Sequence, residues 1–425
     1  MEKQISVIQQ SHIQKDTHKE AFLSYVATIW FFVILNSYLV WNSLAPVIHF
    51  LPALFIVTGT ITISHKLSLS KHNIILILWI SFFFFWIIIS LCDNLASIIK
   101  RSTDFIPMLC IILWPKELIL RTYKIIRRVI IFYAIGSSIL SLLILFGQNE
   151  RLPHLILPPR EALHEKIGMV YYLYGLFIAD CHPILGVSSR ACGMLQEPGH
   201  FSIVLGFIYL IDRFSGQKAN WWIVICGILT FSSTFILIAI FTEIHNLFSF
   251  KNVKKVLKII PVLILLTIVL YSFLPVEIQE KIEYFAYGRN LENVVEAFNE
   301  TSSLTEALDE RASVYSISNY EQMTTTQYIF GGGQKDEGDM LSDYRGMILQ
   351  MGLIGVFFST MVYLIIMAKT PLKMKIALGF AYFLVIIHRA WMLNQPYIFF
   401  LAFLAVAIYK NTKIDSYRIR NIDFS

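Results

Sequence analysis

The chain has 425 residues, of which 56% are hydrophobic and 15% charged, and its formal net charge is +6. Soluble domains carry about 25% charged residues, so this composition excludes an ordinary soluble globular protein and fits a polytopic membrane protein. The charge is uneven: Val276 to Tyr344 holds 4 Lys/Arg against 14 Asp/Glu, and the basic surplus lies in short loops elsewhere, the pattern of a cytoplasmic membrane face rather than of a nucleic-acid partner.

The first twenty residues mix Lys with Glu and Asp and lack a small-residue cleavage site, so no removable signal peptide is expected. A membrane span needs about 20 mostly apolar residues. That length, read with the loop charges, predicts spans at 22–41, 44–64, 73–92, 103–120, 128–147, 198–212, 219–232, 233–249, 256–274, 345–367, 373–389 and 395–411. The expected fold is therefore an all-α integral membrane protein of about twelve transmembrane helices. Its organisation reads as an amino-terminal bundle (1–147), an outward loop (148–197), membrane helices with a broken hairpin (198–274), a large outward loop (276–344), and carboxy-terminal helices with a tail (345–425).

Lys and Arg on short loops bias those loops to the cytoplasm. The loops with Lys66 and Lys71, Lys116 to Arg128, Arg213 and Lys218, Lys251 to Lys258, and Lys369 to Lys375 are expected inside, with both termini. One span over 219–249 would put Lys251 to Lys258 outside. Two short helices keep it inside, and the break is placed at Thr230 to Thr234, where hydroxyls satisfy freed backbone groups. Expected outside are residues 93–102, which end in Lys100-Arg101, and a Pro-broken stretch followed by Glu161 to Asp180, read as a helix lying along the interface or dipping back in rather than a span. In the large loop, Leu291 to Leu308 has helix-like apolar spacing.

The stretch from Ser188 to His200 gathers Arg190, Glu197 and His200, and Gly193 with Pro198-Gly199 breaks any continuous helix. Charges beside apolar helices face a cavity or a partner. The stretch reads as one wall of an anion-handling site, with an ordinary polar connector as the alternative. Cys181 and Cys192 either pair in an oxidising compartment or remain two free thiols. Gly331-Gly332-Gly333 serves either a close backbone approach or a flexible connection. Asp336, Glu337, Asp339 and Asp343 read as a solvated acidic face, since the spacing of a calcium loop is absent, and no metal or other cofactor is expected.

Arginine is the informative residue type. The outward set is Arg101, Arg151, Arg160, Arg190, Arg289, Arg311, Arg345 and Arg389. Guanidinium pairs with phosphate through two parallel hydrogen bonds and stays charged. Any one arginine is explained by snorkelling to headgroups. Several converging outside, against the charge rule, point to a shared anionic ligand, with His388-Arg389 and Trp391 closing the site from the last loop.

Four stretches, in order, resemble the Wzy-type polysaccharide repeat-unit polymerases, relatives of the O-antigen ligases: SSRACGMLQEPGHF, ILTFSSTFILI, ERASVYSISNYEQM followed by YIFGGG, and SDYRGMILQMGLIG. They cover roughly residues 185–360. The resemblance implies a multi-span glycosyltransferase of the GT-C type in a bacterial inner membrane. It would join undecaprenyl-pyrophosphate-linked repeat units into O-antigen or capsular polysaccharide, without a nucleotide sugar. Its partners would be the lipid-linked donor and acceptor glycans, the bilayer and a chain-length regulator. By that resemblance Arg190 and Arg311 grip the donor pyrophosphate, and Asp343 holds a polar catalytic-site position. Glu197, Asp343 and His200 are the candidate bases, and Arg101, Arg289, Arg345 and Arg389 the further substrate-binding residues. Two features depart from the family: Ser233 and Thr234 follow Ser232 where an arginine is common, and residues 276–344 contain no histidine, where the ligases carry one. The second favours a polymerase over a lipid A-core ligase. A lipid-linked oligosaccharide flippase is the rival of another class. It would place polar groups along a central path and show related halves.

Overall fold

A computed structural model of the protein describes residues 2–40, 44–158, 170–182, 186–216, 220–247, 319–332 and 343–422. The predicted span 256–274, the helix-like stretch 291–308 and most of residues 276–344 lie outside the described residues. The architecture is mostly helical, as expected of a helical membrane protein. The helices are α1 (Glu2–Ile34), α2 (Ala45–Thr62), α3 (Lys71–Leu91), α4 (Leu95–Ile112), α5 (Lys116–Leu145), α6 (Pro198–Phe214), α7 (Trp221–Leu229), α8 (Ser233–Leu247), α9 (Thr325–Phe330), α10 (Tyr344–Met367), α11 (Leu372–Arg389) and α12 (Tyr397–Ile422). Among the described residues, α2, α3, α5 and α10 are long and apolar enough to cross a membrane, and Ser233–Glu243 and Tyr397–Tyr409 are shorter apolar segments.

Burial sorts the helices. Only 28% and 22% of the apolar windows of α2 and α3 are covered by protein, against 50% in α5 and α10. The first two are therefore peripheral, with Phe82, Phe85 and Ile89 turned outward. At the centre is α6, in which every residue from Pro198 to Asp212 is buried. It packs against α8 and α12. Its carboxy-terminal end is pinned by buried polar contacts: Asp212 accepts from Tyr123 Oη at 2.8 Å and Arg127 Nε at 2.7 Å, both on α5. Arg213 pairs with Glu243 of α8.

Two span boundaries differ from the hydropathy reading. The structure has α4 at Leu95–Ile112 and α5 from Lys116, where 103–120 and 128–147 were expected. Asn94 starts α4 through a reciprocal capping box with Ser97, and Pro115 starts α5. Lys100 and Arg101 thus lie on α4, and Lys116 to Arg128 on α5, rather than in loops. The break expected at Thr230–Thr234 is present: α7 ends at Leu229, α8 begins at Ser233, and Phe231 between them has φ +46°.

Residues 148–197 depart from the all-α expectation. Where an interfacial helix was read, residues 170–182 form two strands of an antiparallel sheet ordered β1 (Leu155–Leu157), β2 (Val170–Tyr174), β3 (Phe177–His182) and β4 (Gly186–Val187). Tyr174 and Phe177 pair across a two-residue turn in which Gly175 has φ +64°. A leading glycine of positive φ matches the right-handed twist of the flanking strands, and aromatic and β-branched residues favour the pleat. Phe177 docks the sheet on α5, its ring 5.6 Å from Phe132 and 5.7 Å from Tyr133.

A second break organises α10. Gly352 sits inside it with φ +63° and ψ −177°, outside helical geometry. The carbonyls freed by the break find other donors: Trp86 Nε1 of α3 donates to Met351 O at 2.8 Å, and Gly332 N donates to Leu349 O at 2.7 Å. A Cβ on Gly331 would stand 2.5 Å from Gln350 O, and one on Gly352 would collide with Ile329 O and Gly331 N. The glycines Gly331-Gly332 and Gly352 therefore let two backbones touch, which is the close approach read from the triple glycine. Gly333 lies outside the described residues.

Candidate functional site

The site is built on the amino-terminal end of α6 and on the short connector Ala390–Asn394 between α11 and α12. Glu197 is the residue before α6 and its side chain does not cap the helix. Its carboxylate instead pairs with Arg389, the last residue of α11. That guanidinium lies directly over Gly199, whose absent side chain leaves room for it; a Cβ there would be 2.9 Å from Arg389 Nε. Both partners are partly covered, with side chains 23% exposed for Arg389 and 28% for Glu197. One residue further along α6, His200 is buried, and its ring lies 5.1 Å from Tyr397 at the start of α12.

The connector gathers further groups. Arg101 Nη1 from α4 donates to Asn394 O at 3.4 Å. Asn394 Nδ2 donates to Gln350 Oε1 on α10 at 2.6 Å. Among the described residues, Asn394 Oδ1, Gln395 Oε1 and Tyr397 Oη are buried with no hydrogen-bond partner. Buried polar atoms of this kind are free to bond a water or a ligand, and leaving one unmade costs about 1–3 kcal/mol.

Arg190 approaches the same end of α6 from the loop that follows β4. Its Nε donates to Thr230 O at 3.1 Å, and Ala191 N donates to Leu229 O at 2.9 Å, which holds this loop against the end of α7. Ser232 closes the arrangement by accepting from Ser202 Oγ of α6 at 2.9 Å. The hydroxyl-rich break between α7 and α8 is thus the seat of Arg190.

Asp343 and Arg345 form their own buried pair at the start of α10, each side chain 4% exposed. Asp343 Oδ1 accepts from Arg345 N at 2.8 Å and so caps the helix, while Arg345 Nη2 donates to Asp343 Oδ2 at 2.8 Å. Gln350 lies five residues beyond Arg345, about 7.5 Å along the axis, so this pair flanks the connector. Arg289 and Arg311 lie outside the described residues, as do Arg160, the side chain of Trp391, and Asp336, Glu337 and Asp339. Arg151 is exposed and bonds Gln148 of its own loop. The structure therefore brings together Glu197, Arg389 and the neighbouring His200, sets Arg101 on the Asn394 end of the connector, seats Arg190 at the same helix end, and links Asp343 and Arg345 to the connector through Gln350.

Gln350, Asn394 and Tyr397 were not among the residues read from the sequence. Asn394-Gln395-Pro396-Tyr397, a polar run ahead of an apolar helix, is the signal that marks two of them. Cys181 and Cys192 are free thiols. Cys192 is fully buried beneath Arg190, with Sγ 3.5 Å from Arg190 O and 3.8 Å from Asp180 Oδ1. Burial, reinforced by the Asp180 carboxylate, pushes its thiol well above the usual range.

Chemically, the site offers several guanidinium groups, a carboxylate held by one of them, an uncapped helix amino terminus and a row of buried polar atoms. Cations and a helix amino terminus favour an anion, and the uncommitted polar atoms favour a hydroxyl-bearing ligand. Comparison of the chain with protein-family models, with curated proteins and with solved structures finds no match in any of the three.

Proposed function

We propose that the protein is a membrane glycosyltransferase of the Wzy type, with about twelve spans and both termini cytoplasmic. It joins undecaprenyl-pyrophosphate-linked repeat units into O-antigen or capsular polysaccharide at the outer face of a bacterial inner membrane. The observation that carries this reading is the Glu197–Arg389 pair over Gly199 at the amino-terminal end of α6, with the unpartnered oxygens of Asn394, Gln395 and Tyr397 on the connector and the start of α12. A diphosphate suits the guanidinium groups and the positive helix end. Sugar hydroxyls suit the oxygens.

In this mechanism the acceptor hydroxyl oxygen bonds to the anomeric carbon of the donor glycan. The bond from that carbon to the phosphate oxygen breaks, and its electrons leave with the lipid pyrophosphate. The proton goes to Glu197. Arg389 serves both partners: when a diphosphate takes its guanidinium, the Glu197 carboxylate is released to act as base within hydrogen-bond reach of the acceptor. Arg190 and Arg101 stabilise the charge that develops on the leaving group. The family resemblance assigns the same work to Arg311, and Arg289 is a further substrate-binding candidate; both lie outside the described residues. Asp343, both of whose oxygens accept from Arg345, acts as a positioning residue for α10 with Arg345. His200 shapes the wall by packing on Tyr397.

The test is complementation of a polymerase-null bacterium with Glu197→Gln, Arg190→Ala and Arg389→Ala, at matched protein levels. Loss of one positioned donor, Arg190 or Arg389, raises the barrier by about 3–4 kcal/mol, a hundredfold or more in rate, and loss of the base costs about 10²–10⁴-fold, so each variant is expected to yield only single repeats. Normal long-chain polymer from all three would exclude the assignment.

A further inference from the structure

A second polar cluster stands at the opposite ends of α3, α10 and α11 from the candidate site. There a cavity of about 270 Å³ opens between the start of α3, the start of α5, the end of α10 and α12. His72, Lys116 and Lys369 line its outer part, and Leu76, Ile366 and Phe403 line its inner part. Lys116 and Lys369 are exposed, while Leu76 and Ile366 are 1% exposed. The lining therefore runs from cationic to aliphatic over about one helical turn, the separation of His72 and Leu76 on α3. Among the described residues, no carboxylate pairs with Lys116 or Lys369.

The placement excludes the donor of the proposed reaction as occupant. α11 has 18 residues, from Leu372, three residues after Lys369, to Arg389 in the candidate site. That is about 27 Å at 1.5 Å per residue, close to the thickness of a hydrocarbon core. The loops here are those whose Lys and Arg assign them to the cytoplasmic leaflet. Basic pockets between helices on that side match anionic headgroups. A free phosphate would use the lysines and leave the aliphatic inner wall without a role.

We infer that this cavity binds an anionic phospholipid of the cytoplasmic leaflet. The phosphodiester sits between Lys116 and Lys369 with His72 beside it, and the head of one acyl chain runs along Leu76, Ile366 and Phe403. The site is independent of glycosyl transfer.

The experiment is native mass spectrometry of the delipidated full-length protein titrated with dioleoylphosphatidylglycerol, dioleoylphosphatidylcholine or glycerol phosphate. Lys116→Glu/Lys369→Glu is compared with Lys124→Glu/Arg128→Glu, an equal charge change at exposed positions outside the cavity. Wild type and the Lys124/Arg128 variant are expected to retain phosphatidylglycerol at least tenfold more strongly than the Lys116/Lys369 variant does. Phosphatidylcholine and glycerol phosphate are expected to bind at least tenfold more weakly throughout. The milder Lys116→Gln/Lys369→Gln must show the same loss, so that misfolding cannot imitate it. Equal retention by the two Glu variants would reduce the effect to diffuse surface charge and overturn the site. So would phosphatidylcholine binding as strong as phosphatidylglycerol, or glycerol phosphate binding as strong as the lipid.

Discussion

Replacing Gly352 with alanine tests the break in α10 where its geometry is most demanding. The residue has φ +63° and ψ −177°, a backbone state essentially confined to glycine, and forcing a side chain into it costs about 1–3 kcal/mol. The new Cβ would also collide with Ile329 O and Gly331 N, which are backbone atoms that cannot rotate away. Relief requires α9 to move off α10, with loss of the Gly332 N to Leu349 O bond, worth about 1 kcal/mol. The Trp86–Phe330 ring contact at 6.1 Å would go too, about another 0.5–1 kcal/mol. The sum is about 2.5–5 kcal/mol. Gly379 of α11 is the control: nothing lies within 4 Å of its Cβ position, so alanine there is expected to stabilise by about 0.5–1 kcal/mol through helix propensity. Thermal unfolding in detergent, followed by tryptophan fluorescence, compares the two. Gly352→Ala is expected to unfold well below wild type and Gly379→Ala at or above it. A Gly352→Ala protein as stable as wild type would refute the account of α9 docked on a broken α10.

Asp343→Ala is expected to destabilise by about 3–5 kcal/mol, because it removes the α10 cap and leaves Arg345 buried without its carboxylate; the added change Arg345→Met should restore part of the loss in the same unfolding assay. In the polymer-length assay, Gly199→Ala is expected to reproduce much of the defect of Arg389→Ala, since the new methyl occupies the place of the guanidinium; full activity would separate Arg389 from the site. Cys192 is expected to resist N-ethylmaleimide in the folded protein at pH 8 while half-exposed Cys92 reacts, as read by peptide mass spectrometry. The folded thiol of Cys192 titrates above its unfolded value near 9. The stability contributed by the neutral form is thus present below about pH 9 and declines as pH rises through the folded value.

Hydropathy and loop charge located the helices well. Each stretch read as a span holds a helix wherever residues are described, because burial of a long apolar segment overrides weaker local preferences. The same reasoning misplaced α4 and α5. Lys100, Arg101 and Lys116 to Arg128 lower the local hydropathy, yet long basic side chains tolerate helix ends by reaching outward. The capping pattern Asn94-x-x-Ser97 carried the boundary instead. The β-sheet was missed for a different reason. Val170 to Tyr174 and Phe177 to His182 are rich in aromatic and β-branched residues around Gly175, a hairpin pattern, but an amphipathic reading of the whole stretch hid the turn. In the site, Arg190, Glu197, His200 and Arg389 were legible as charged or polar residues beside apolar helices. The pairing of Glu197 with Arg389 was not, since it depends on how α11 meets α6. Gln350 and Tyr397 read as span residues, and their roles show only once Gln350 accepts from Asn394 and Tyr397 packs on His200.

The most direct measurement of the proposed chemistry is elongation by the purified protein of one defined synthetic undecaprenyl-pyrophosphate-linked repeat unit, read by mass. The account predicts products increasing by whole repeats, without a nucleotide sugar or an ion gradient, and their disappearance in Glu197→Gln with binding of the lipid-linked donor retained. Unchanged substrate with wild-type protein, or equal elongation by Glu197→Gln, would contradict it.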